Sequence, residues 1–177
     1  TLYYLSAGYL DQDGIIRKRN FTRGGVRLNI TSQLSERVSI SSRLFASRAV
    51  QNGSAPSDGT TSRNYGKSVV GSTLINFPTV SVYNEDGTYS NPKLYSFTVP
   101  DIENPVAFVN EILDKNTTNR FQGVVEGKIK LIKGLSNTAR VSADNLERRA
   151  DTYFPKILPQ ISSGFGQGTL ETFTMFN

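Results

Sequence analysis

The sequence predicts an all-β fold. The expected architecture is antiparallel up-and-down hairpins from the wall of a large transmembrane β-barrel, with long outer loops and one or two short loop helices. Three observations predict it. Apolar and polar residues alternate with a period of two along several stretches. Tight turns take turns with long links, an asymmetry that outer-membrane barrels have by construction. No stretch approaches the roughly 20 apolar residues that a membrane-crossing helix needs. Mean hydropathy is −0.34, which does not oppose a barrel, because the polar half of each barrel strand cancels the apolar half in any average.

The strands follow in order. Residues 2–10 place Tyr3, Leu5, Ala7 and Tyr9 on one face. Residues 21–33 set Val26, Leu28 and Ile30 against Arg23, Arg27, Asn29 and Thr31. Residues 37–50 set Val38, Ile40, Leu44 and Ala46 against Arg37, Ser39, Ser41, Arg43 and Ser47, with Phe45 an exception on the polar side. Residues 119–132 set Phe121, Val125, Ile129 and Leu131 against Arg120, Gln122, Glu126, Lys128 and Lys130, where Val124 is the apolar intruder. Residues 135–148 set Leu135, Ala139, Val141 and Ala143 against Ser136, Thr138, Arg140, Ser142 and Asp144. A sixth strand starts near 169–177. Both chain ends read as strands cut short, and the start lacks the features of a signal peptide.

Tight turns fall at Leu34–Glu36 and at Ile132–Gly134; the long loops are 11–20, 51–118 and 149–168. Loops of that length are rare in compact soluble domains. Asp13-Gly14 and Asp86-Gly87 favour turns, because glycine accepts positive φ. The segment 51–64 is rich in Ser, Gly, Asp, Thr and Asn and reads as a loop. Asn104 is placed to cap a short helix, with Pro105 in its first position and Val106, Val109 and Leu113 on its apolar side. A second short apolar run, Val69 to Phe77, stops at Pro78. The whole of 1–177 reads as one partial β-barrel domain.

Composition narrows the chemistry. Cysteine and histidine are both absent, which removes thiolate metal sites, cysteine nucleophiles and the commonest general base. No enzyme activity, cofactor or metal site is expected. Asp11-Gln12-Asp13-Gly14 has the first beats of a calcium loop but lacks the remaining ligands. The net charge is +5, yet the charges are spread out, with one short cluster at Arg17, Lys18 and Arg19. No nucleic-acid partner is expected.

Strand alternation divides the side chains. Val26, Leu28, Ile30, Ile40, Leu44, Val125, Ile129, Leu131 and Val141 are expected to face lipid. Arg27, Arg43, Arg120 and Arg140 are expected to face the lumen. Tyr3, Tyr9 and Phe121 are candidates for an interfacial aromatic girdle or for plain packing. In the central loop, Phe77, Tyr83, Tyr89 and Tyr95 are candidates for substrate or partner contact. The alternative is a soluble all-β binding module, carbohydrate-binding or adhesin-like, in which the apolar faces are covered by protein.

Several runs resemble the SusC/RagA-type TonB-dependent outer-membrane receptors of Bacteroidetes. They are YYLSAGYLDQDGII at the start, Arg23 to Asn29 (similar to an R-x-x-x-R-L-N strand), NPVAFVNEILDKNTTNRFQG at Asn104 to Gly123, and the turn IKGL at Ile132 to Leu135. DTYFPK and GFGQGTLETF also fit, and the resemblance runs along nearly the whole chain. Gly24-Gly25 departs from it, since an aromatic or polar pair is commoner there. The resemblance implies a polysaccharide-utilisation type of nutrient transporter in the cell outer membrane. It implies a plug, a TonB-box and about 22 strands, of which this chain supplies only barrel wall. It implies an oligosaccharide or peptide substrate, a SusD-like surface lipoprotein over the loops, TonB as energy source and outer-membrane lipid as surroundings. A chain of this length is expected to be unable to transport by itself.

Overall fold

A computed structural model describes residues 1–53, 69–95, 102–158 and 165–177. Most of the loop-like run 51–64 lies outside these residues. Six strands form one antiparallel sheet in sequence order. They are β1 (Leu2–Asp13), β2 (Asn20–Gln33), β3 (Val38–Asn52), β4 (Leu113–Ile132), β5 (Leu135–Phe154) and β6 (Gln167–Phe176). Each strand pairs with the one before it. Two short helices, α1 (Val69–Ile75) and α2 (Pro105–Glu111), and a 3₁₀ turn at Pro92–Tyr95 belong to the link between β3 and β4.

The short turns are built from local chemistry. Between β2 and β3, Leu34 N–H and Ser35 N–H donate to Val38 O, and the Ser35 hydroxyl accepts from Val38 N–H at 3.1 Å. Between β4 and β5 only Lys133 and Gly134 intervene, and Gly134 has φ 86°, which a side chain rarely adopts. A bulge between Lys130 and Ile132 accompanies that turn.

At the opposite end the strands run farther than hydrophobic alternation indicates. Residues 11–13 and Asn20 belong to β1 and β2 rather than to a loop, so the Asp11-Gln12-Asp13 run is strand. β4 begins at Leu113 and β5 ends at Phe154. The reason is that the hydrogen-bond ladder needs only backbone, whereas alternation needs two different surroundings for the two faces. Where both faces are polar, the ladder continues and the pattern vanishes. The extra length lies on the long-loop side; at the two tight turns the strands end close to where the pattern ends. The Gly24-Gly25 pair sits inside β2, with Tyr9 opposite Gly24.

Candidate functional site

The register joins the alternating faces into two continuous surfaces. Leu28 pairs with Leu44, Leu44 with Gly123 and Gly123 with Ala143. The neighbouring rows are Ile30, Ser42, Val125 and Val141, and Val26, Ala46 and Phe121. Ile40 and Ile129 fall on the same side by strand parity, while Leu131 is the extra residue of the bulge before the turn, where parity does not carry. Eight of the nine apolar candidates therefore share one face. Tyr3, Leu5, Ala7 and Tyr9 extend it across β1, because they pair with Ile30, Leu28, Val26 and Gly24.

No described residue seals that face. Val26, Ile30, Ile40, Val125, Ile129, Leu131 and Val141 are exposed, Val141 at 74%, and Leu28 and Leu44 are half-exposed. The buried hydrophobic side chains among the described residues, Ile102, Ala107, Phe108 and Leu158, all belong to the links between strands. Leaving a large aliphatic side chain in water forgoes about 1.5–3 kcal/mol relative to burying it, so this face requires an apolar neighbour.

The apolar band has an upper edge. Beyond Phe121 the next row on this face is Arg48, Asn119 and Glu147. There the Asn119 Nδ2 donates to Glu147 Oε2 at 3.1 Å. From Phe121 to Leu131 is about ten residues, or ~33 Å of strand. At the ~40° tilt of barrel strands this projects to ~25 Å, the height of the apolar band in outer-membrane barrels.

The other face is polar and carries all four candidate arginines. Arg120 holds Asp144 with two nitrogens, Nε at 3.2 Å and Nη2 at 2.8 Å, and Gln122 Nε2 adds a third bond to the same carboxylate at 2.9 Å. Arg140 Nε and Nη2 donate to Glu126 Oε2 at 2.9 and 2.5 Å. Both pairs join β4 to β5. The Arg27 guanidinium lies 5.5 Å from the centre of the Phe45 ring. That contact accounts for an aromatic on a polar face, a role that the sequence pattern leaves as an exception; an Arg opposite a lone aromatic is the signal that could have found it. Arg43 pairs across strands with Val124 and feels the nearby Glu126 carboxylate.

The loops form a small packed rim. Asn104, 4% exposed, organises it. Its Oδ1 accepts from Val106 N–H at 3.0 Å and Ala107 N–H at 3.3 Å, while its Nδ2 donates to Val82 O at 2.8 Å and Ser90 O at 3.2 Å. α2 buries Ala107 and Phe108 rather than Leu113, which starts β4 and is 67% exposed. α1, formed by the second apolar run, packs against α2. Lys18 Nζ reaches Asn110 O at 2.5 Å, tying the β1–β2 turn to the last turn of α2. Gly53 has φ 67°, and a Cβ there would meet Arg19 at 2.7 Å, so the close approach of this turn to the end of β3 needs glycine. Between rim and strand ends lies a cleft of about 850 Å³ with Arg17, Lys18, Arg19, Phe108, Val109 and Tyr153 in its lining.

The loop aromatics do not converge. Tyr83 and Tyr89 stack on one another at 5.4 Å. The Tyr89 hydroxyl donates to Glu111 Oε1 at 3.0 Å, so this ring serves the rim. Phe77 is half-buried. Tyr83 and Tyr95 are exposed and share a depression with Ser90 and Asp86. Asp86 is held below its ordinary carboxylate value by hydrogen bonds from the Thr88 side chain and backbone. Among the described residues no group of His, Cys, Asp and Glu is placed to hold a metal ion, and no helix is long and apolar enough to cross a membrane.

A sheet with one unsealed apolar face and one charged face, meandering between tight turns on one side and long links on the other, has the layout of an outer-membrane β-barrel wall. The comparisons with known proteins agree. The chain is 28% identical over 178 residues to TonB-dependent receptor P3 of Formosa agariphila, a match that covers 99% of this chain and 17% of that receptor. Its fold matches the solved structure of the RagAB peptide transporter with a TM-score of 0.66 and 20% identity, over 97% of this chain and 19% of that one. The chain thus spans less than a fifth of the length of either relative. No family model matches it. The first likeness is one of sequence to a TonB-dependent receptor, the second one of fold to a transporter barrel.

Proposed function

We propose that the chain forms part of the wall of an outer-membrane β-barrel that imports a nutrient, oligosaccharide or peptide, in a TonB-dependent manner. The observation that carries this reading is the apolar face, continuous over five strands and covered by no other part of the described chain. In the outer membrane that face contacts acyl chains, and the polar face with Arg27, Arg43, Arg120 and Arg140 lines the lumen. Six strands do not close a barrel, since the smallest outer-membrane barrels have about eight. Transport therefore needs the further strands and the plug of a complete receptor. The loop rim, with Tyr83 and Tyr95 exposed, is the surface on which a SusD-like lipoprotein or the substrate would act, and TonB would supply the energy from the other side. The reading assigns no enzymatic step and no nucleic-acid contact to the chain.

The test is lipid accessibility. Single cysteines are introduced at Val125, Val141 and Ser142 of the membrane-inserted receptor and spin-labelled. Labels at 125 and 141 are expected to be relaxed by oxygen dissolved in the bilayer, and the label at 142 by a water-soluble nickel chelate. If 125 and 141 respond to the chelate instead, the reading fails.

A further inference from the structure

The charges of the polar face are not evenly matched. On β4 and β5 the arginines Arg120 and Arg140 are neutralised by Asp144 and Glu126. On β1, β2 and β3 the same face holds Arg23, Arg27 and Arg43 and no acidic residue. Among the described residues none of these three makes an ion pair with a carboxylate; Arg27 rests on the Phe45 ring, and Arg43 has only the shared field of Glu126. Their order along the strands matters. Arg43 pairs with Asn29, so it lies diagonally next to Arg27, about 7–8 Å away. Arg23 is four residues farther toward the long-loop end, or ~13 Å. Beyond it lies the cleft at the rim, whose lining holds Arg17, Lys18 and Arg19 together with Asp13, Asp114 and Asp151, so the unmatched positive charge is that of the wall arginines. The result is a row of three arginines on the polar face, Arg23, Arg27 and Arg43, running from the long-loop side to the middle of the wall.

We propose that this line is a binding track for an anionic oligomeric solute, one that carries repeated carboxylate or sulfate groups. The proposal rests on the reading of the polar face as lumen and names the substrate class for it. Charge complementarity selects the occupant. Arginine presents a planar fork that pairs with such oxyanions in bidentate fashion, and cations that face a lumen without internal acid partners gain from a solute that brings its own negative charge. A ladder of sites lets the solute exchange one contact for the next, which binds without trapping.

The experiment uses the full-length receptor containing this segment, purified in detergent, with the Arg27→Gln/Arg43→Gln double variant beside it. Binding of an oligogalacturonate, an oligoglutamate and a neutral maltooligosaccharide is measured by calorimetry at low and high salt. The expected result is preference for the acidic probes, weakened by salt, and a loss of about 10-fold in their affinity in the double variant with Tm unchanged. Which acidic probe binds tells whether sugar or peptide carries the charge. Equal binding of the neutral probe overturns the track. So does a double variant that binds as before, or one that loses Tm while binding is kept, because the arginines would then hold protein rather than solute. All these outcomes leave the barrel reading standing, since the sample is a detergent-solubilised receptor. A receptor that is monodisperse in water without detergent overturns both.

Discussion

Arg27 and Phe45 face one another across β2 and β3, and the pair illustrates how a single position is read wrongly by polarity alone. A phenylalanine among serines and arginines is an error in a soluble sheet, but on this face it offers a π surface to a neighbouring cation. Val125 and Ser142 make the opposite point. They are adjacent in the folded sheet, since Ser142 pairs with Val124, yet they belong to different faces. Val125→Arg is expected to destabilise the membrane-inserted receptor by about 2–4 kcal/mol, the cost of arginine near the bilayer midplane, whereas Ser142→Arg is expected to change little. Urea unfolding into lipid vesicles measures both. Equal costs at the two sites would deny that the faces have different solvents.

Among the elements, the two short helices are too brief to stand alone and hold through their contacts. α2 depends on Asn104, which caps it through one side-chain atom and ties it to two carbonyls of the preceding loop through another. Asn104→Ala removes the cap and takes a donor from Ser90 O, while Val82 O keeps the one from Ser90 N–H. The expected loss is roughly 1–3 kcal/mol of local stability, seen as faster amide hydrogen exchange at 104–111 while the exchange of β2 to β5 is unchanged. Protection that stays the same would show that Lys18 and the α1 contact suffice. The strands are a different kind of element. Their hairpin turns are set by two or three residues, and their outer ends by a ladder that continues into polar surroundings.

At the scale of the molecule, the sheet has, among the described residues, two open edges, β1 and β6, and one unsealed apolar face. Unpaired strand edges are templates for association, and an apolar face of this extent adds a second drive toward it. The 177-residue chain produced alone is therefore expected to aggregate in aqueous buffer and to remain dispersed only with detergent or lipid. Light scattering after gel filtration decides it. A monodisperse water-soluble monomer would mean that the apolar face meets protein and not acyl chains.

What the sequence alone determined is the division of side chains between two faces. That division has a period of two residues, and strand geometry turns it into sides without any knowledge of neighbours. The tight turns were legible for the same reason, because Ser35 and Gly134 act within a few residues. Only the tertiary structure decided the rest. It extended β4 back to Leu113, since backbone pairing is blind to polarity. It brought Arg120 to Asp144 and Arg27 to Phe45 across strands, and it removed Leu113 from the helix face that Ala107 and Phe108 fill. It also left Arg23, Arg27 and Arg43 together without acids. These are facts of register, and register is a relation between distant segments that no local pattern contains.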